Sequence, residues 1–178
     1  EALAPHRLLL MAQPRGLSAE ENVALDGWVR GGGHLLLFAD PLMTGHSHFA
    51  IGDRRRPQDV ALLSPILAHW GLELQFDEDQ PAGLRMSALA GQPIPVNLPG
   101  RLATLAGDTP CRVLGEALVA DCALGAGRVL IVADAALLDF AGPHAQAPQA
   151  LAALTDSIFG ENGQIAGAIA VESSAEAE

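Results

Sequence analysis

Tyrosine is absent from this 178-residue sequence, and only two tryptophans and five phenylalanines supply aromatic rings. The core must therefore be built from leucine, alanine and valine, and a ligand site walled with aromatic rings is poorly provided for. Cations are also scarce: ten against 21 acids give a formal charge of −11. Such a surface repels nucleic acid and anionic membrane, so neither is expected as a partner. No apolar run approaches a bilayer's thickness; Leu35 to Ala39 is typical. The sequence opens with EALAPHRLLL, without an initiator methionine or a secretory leader, and reads as a mature or excised form.

Catalytic motifs are missing as well. Cys111 and Cys122 are the only cysteines, and neither lies in a Gly-x-Cys-x-Gly setting. No Gly-x-Ser-x-Gly occurs either, so the strained turn that exposes a nucleophile beside oxyanion-binding N–H groups has no candidate. No phosphate-binding glycine loop is present, and no cofactor is called for.

What is present reads as one domain over residues 1–160, long enough to bury roughly two-thirds of its unfolded surface, followed by an acidic tail over 161–178. Arg7–Met11 is an apolar strand. Ser18 with Glu21 forms a capping box that opens a helix, which Gly31–Gly33 closes. His34–Ala39 resumes as a strand apolar throughout, hence covered on both faces. Strand, helix, strand implies a right-handed parallel unit. Residues 41–58 show no period and read as a surface loop. A second helix begins at Asp59 or at Ser64-Pro65 and runs through Trp70; Glu73–Phe76 and Arg128–Ala133 read as further strands of one mainly parallel sheet. Between them, Leu84 to about Leu124 reads as an antiparallel meander. A last helix runs from Pro148 to Phe159.

The segment QPRGLSAEENVALDGWVRGGGHLLLFADP resembles the opening of the bacterial gliding-motility-type ABC transporter auxiliary domain. LLSPILAHWGLEL and GAGRVLIVADAALLD resemble later elements of that family, and together these cover about half the chain. The resemblance implies an α/β three-layer sandwich similar to class I glutamine amidotransferases, with a mainly parallel central sheet. It implies an extracytoplasmic (periplasmic) location, a parent protein anchored in the membrane through another segment, and membrane transporter subunits or other proteins as partners. With the missing nucleophile, it points to a non-catalytic accessory or binding domain. A metal-assisted hydrolase and a sugar- or peptide-binding domain are the rival readings.

Four groups of residues could carry function. Asp40 and Asp134 end strands of similar pattern, LLLFAD and VLIVAD, and parallel strands would bring both to the carboxyl edge where open sheets bind ligands. They could hold a cation or polar ligand, or merely cap their own loops. His46 and His48, with Asp40 upstream, have spacing suited to zinc or copper, although solvated loop histidines read the same way. Arg54, Arg55 and Arg56 could clamp an anion or pair with Asp53 and Asp59. Finally, a turn at Glu116-Ala117 would place Arg112 opposite Asp121 and Cys111 opposite Cys122, with Val113 and Ala120 on the cysteine face. Cysteines so opposed can form a disulfide, or remain two buried thiols in a reducing compartment.

Overall fold

A computed structural model describes residue 3 and residues 6–53, 55–89, 92–139 and 147–160; Arg54 and the acidic tail lie outside the described residues. The chain runs through β1 (Leu8–Ala12), α1 (Ala19–Arg30), β2 (His34–Phe38), α2 (Ser64–His69) and β3 (Leu72–Gln75). It continues through β4 (Leu84–Leu89), β5 (Gln92–Asn97), β6 (Arg101–Thr104), β7 (Cys111–Leu114), β8 (Val119–Leu124) and β9 (Gly127–Val132). A 3-10 turn at Ala136–Leu138 and α3 (Ala147–Phe159) complete the described elements.

The largest sheet has the order β1-β2-β9-β8-β7. β1, β2 and β9 are parallel, in the register Leu8, His34, Arg128; β8 and β7 run antiparallel to them. The central strands are apolar throughout because both faces are covered. Leu35, Leu37, Val129 and Ile131 pack towards α1 and α2 with Ile66, Leu67 and Trp70. The alternate residues Leu36, Phe38, Leu130 and Val132 pack towards α3 and β5 with Leu154, Ile158 and Ile94.

This arrangement corrects the expected three-layer sandwich with a mainly parallel sheet. Among the described residues nine strands form three sheets, and four of the six ladders are antiparallel. The strand expected at Glu73–Phe76 is not in the central sheet; β3 pairs antiparallel with β6. Its sequence, LELQ, alternates buried and wet positions, which suits an antiparallel edge rather than a strand covered on both faces. The expected meander is likewise divided. β4 and β5 form their own hairpin sheet, β6 joins β3, and β7 and β8 extend the central sheet.

The helix signals are expressed locally as read. Ser18 accepts from the Glu21 N–H, and the Glu21 carboxylate accepts from the Ser18 N–H, so both arms of the capping box are made. Two of the three glycines that end α1 serve different ends. Gly32 takes the left-handed conformation at φ 106°. Gly33 is small for another reason: a Cβ there would come within 2.5 Å of the Trp28 ring. Gly127, in the GAGRV stretch, lies against the end of α1, and a Cβ on it would collide with the Val29 and Gly33 carbonyls. Backbone on both sides leaves no rotamer to absorb the clash. Gly127→Ala is therefore expected to destabilise by about 3 kcal/mol, read as the shift in urea midpoint at unchanged m-value.

The β7–β8 hairpin pairs Cys111 with Cys122 and Arg112 with Asp121, the register expected from the charge pair. The sulfurs are joined in a disulfide. Beyond Leu114 opposite Val119 the Leu118 N–H donates to the Gly115 carbonyl at 2.9 Å, so Glu116-Ala117 forms the two-residue turn expected from sequence. Glu116 and Ala117 sit at φ 56° and 69°, values that cost a residue bearing a Cβ. Ala117→Gly should relieve this and raise stability by about 1 kcal/mol; a lower melting temperature in that variant would contradict it. Reduction of the disulfide should cost at most about 3 kcal/mol, because the closed loop is short. The oxidised chain should weigh two hydrogens less by intact mass.

Candidate functional site at the carboxyl edge of the sheet

The parallel pairing of β2 with β9 brings Asp40 and Asp134 side by side just beyond the strand ends, both 1% exposed. Neither carboxylate is idle. One oxygen of Asp40 accepts from the Leu42 N–H at 2.8 Å, the other from the Ala135 N–H at 3.0 Å. Asp134 accepts from the Ala136 N–H at 2.6 Å and from the Asn97 N–H at 2.9 Å. Each aspartate thus turns its own loop and also ties a second segment to the sheet. Asp40 reaches across to the segment after β9, and Asp134 reaches across to β5.

Burial dominates their electrostatics. Desolvation pushes Asp40 up to about 6 against the pull of its two N–H partners. Desolvation, with the neighbouring Asp40 charge second, pushes Asp134 up to about 7.

Gln13, which sequence reasoning did not single out, completes the edge. It is 2% exposed, with φ 47°. Its side-chain amide donates to the Asp40 carbonyl at 2.7 Å and accepts the Asp40 N–H at 2.8 Å. A polar residue wedged between an apolar strand and Pro14 was the available signal.

The remaining candidates lie elsewhere. His46 and His48 are exposed on the loop after β2. Among the described residues no group of three His, Cys, Asp or Glu could hold a metal ion. Arg55 pairs with Asp53 at 2.8 Å and stacks over Phe49 at 4.5 Å. Arg56 pairs with Asp59 at 2.9 Å and donates to the Phe49 carbonyl. The acids expected as partners are thus the acids found.

A second polar cluster stands at the far side of the sheet. Asp121, 5% exposed, receives Arg128 on both oxygens at 2.7 and 3.1 Å and Arg112 at 3.0 Å. Burial raises its pKa, but the two guanidiniums outweigh it and hold the carboxyl below its ordinary value. Arg128 also donates to the Ser157 carbonyl, joining β9 to α3. The Arg112 partner was legible in the hairpin; Arg128, from the next strand, was not.

No family model and no curated protein sequence matches the chain. Solved structures do match in fold. The chain aligns with exo-beta-1,4-mannosidase Op5Man5 from Opitutaceae bacterium strain TAV5 at TM-score 0.51 and 17% identity, over 88% of this chain and 24% of that one. It aligns with the beta-galactosidase from Bacillus circulans sp. alkalophilus at 0.55 and 14%, over 88% and 23%. The mmIFT52 N-terminal domain gives 0.57 and 12%, over 87% and 77%. The chain therefore spans about a quarter of either glycosidase's length. Identities this low show a shared fold and nothing about chemistry. The strand-dominated arrangement described above stands in place of the three-layer sandwich with a mainly parallel sheet expected from sequence. None of the three is described as a transporter component.

No helix among the described residues is long and apolar enough to cross a membrane. The disulfide is compatible with an extracellular location.

Proposed function

We propose that this chain is a non-catalytic, extracytoplasmic accessory or binding domain of a larger assembly. One observation carries the reading. At the sheet edge where this kind of fold would place chemistry, all four carboxylate oxygens of Asp40 and Asp134 are taken by main-chain N–H groups. Those groups serve to join loops to the sheet. Both cysteines are consumed in a disulfide remote in sequence from those turns. The metal-assisted hydrolase is disfavoured by the same saturation and by the want of a third ligand among the described residues. Partial coverage of the glycosidases supports a role as one module among several.

The resemblance to the ABC-transporter auxiliary domain names the assembly: an export system, with the parent chain anchored in the membrane outside this segment. The disulfide supports the periplasmic side of that proposal.

Two measurements test the reading. Fluorophosphonate and iodoacetamide probes, with a panel of nitrophenyl glycosides and esters, should show neither specific labelling nor turnover. Hydrolysis abolished by Asp40→Asn or Asp134→Asn would overturn it. Cross-linking in intact source cells should join the domain to transporter subunits; cross-links confined to unrelated soluble enzymes would refute the association.

A further inference from the structure

The loop after β2 folds back over the end of β1 and encloses a cleft of about 570 Å³, lined among others by Arg15, Asp53, Arg55, Arg56, Gln58 and Asp59. All ten cationic side chains of the chain are arginines, set against 21 acids. Three of those ten meet in this one cleft, from segments some 40 positions apart in sequence. Net charge alone would not assemble them.

We propose that this cleft binds a small hydroxylated oxyanion, a carboxylate or a phosphate ester, through Arg15, Arg55 and Arg56. The arginines are held in place without being used up. Arg15 is fixed by Glu21 and the Gly16 carbonyl. Arg55 is gripped between Asp53 and the Phe49 ring. Arg56 bridges the Phe49 carbonyl and Asp59. A guanidinium carries five N–H donors, and in each case part of that set remains unspent. Side chains ordered beforehand lose less entropy when a ligand arrives, which is where preorganisation gains affinity.

The planar fork selects the ligand's acidic group, because it matches a carboxylate or phosphate with two parallel hydrogen bonds. Glu21, Asp53 and Asp59 offset the charge of the three arginines, and Asp59 leaves one carboxylate oxygen to accept from a hydroxyl. The cleft therefore favours one acidic group on a hydroxyl-rich body over a polyanion. An apolar ligand has little to stack on, since Arg55 already covers the Phe49 ring.

The inference deepens the binding-domain reading and rests on it. It is tested by titrating the labelled protein with D-glucuronate, glucose 6-phosphate and glucose while following backbone amide shifts. Glucuronate, glucose 6-phosphate or both should produce saturable shifts at Gly52 and Gln58, and the acid that does so identifies the group. Glucose should produce none. Arg15→Gln combined with Arg55→Gln should weaken binding at least tenfold. Both side chains are largely exposed, 62% and 72%, so the fold should survive. Arg101→Gln, outside the cleft, should bind as the parent does. Equal shifts with glucose, or undiminished binding by the double variant, would overturn the proposal. No binding by either acid, and no turnover, would remove the site while leaving the accessory reading intact. Binding followed by conversion of a probe would support the cleft and remove the non-catalytic reading.

Discussion

Asp121→Asn should destabilise the domain by about 3–5 kcal/mol, because it removes a buried carboxylate that accepts three hydrogen bonds from two guanidiniums. Arg128 is only 15% exposed, and both of its bonds to Asp121 run through the carboxylate. An asparagine keeps one carbonyl oxygen for the pair and turns an amide donor towards a donor. Arg112 offers the internal contrast. It reaches the same carboxylate, yet its side chain is 75% exposed, so Arg112→Gln should cost under about 1 kcal/mol. Chemical denaturation of both variants gives the comparison; similar losses would show that Arg128 does not carry the pair. Replacing both partners, Asp121→Leu with Arg128→Met, should recover much of the loss, since two apolar side chains leave no charge stranded.

The second large effect is a dependence on pH. Carboxyls with pKa raised by folding are protonated in the native state at pH values where the unfolded chain has already released its protons. Asp40 at about 6 and Asp134 at about 7 therefore favour the native state below roughly pH 4 and lose that contribution as pH rises to about 7. Between pH 5 and pH 8 the loss should be on the order of 4 kcal/mol for the pair. Asp121 works in the opposite sense: its pKa is lowered, so its contribution is present above the unfolded value near 4 and disappears in acid. Stability should thus peak in mildly acidic solution. Unfolding by urea at pH 5 and pH 8 measures the difference, and stability that climbs steadily from 5 to 8 would refute it. In Asp134→Asn the slope across that interval should shrink, although an amide facing the Asn97 N–H lowers stability at every pH.

How far the sequence could be read depended on whether a signal was local. The capping box of α1 needs only residues 18 to 21, and it was legible. So was the hairpin register, because an opposite-charge pair and an apolar face had to agree on one alignment. The adjacency of Asp40 and Asp134 followed from β2 and β9 being parallel. What stayed hidden was partnership across the chain. LELQ says nothing of its pairing with Arg101–Thr104, so a strand seen correctly was placed in the wrong sheet. Arg128 sits in a strand that reads as apolar, with no mark of its approach to Asp121. Gln13 shows its importance only once Asp40 is brought beside it. The convergence of Arg15 with Arg55 and Arg56 likewise needed the loop after β2 to be folded.

The disulfide has a further effect through its position in the sheet. β7 is the outermost strand, and outermost strands are where a sheet frays and where foreign chains add on. A covalent tie to β8 means that β7 cannot peel away alone; the two must open together, and β8 is anchored on β9. The opposite margin has no such clasp. β1 is held by its ladder to β2, with Leu8 and Leu10 half in water. Amide hydrogen exchange should therefore be lopsided, fast along β1 and slow along β7. Reduction should bring the two margins level.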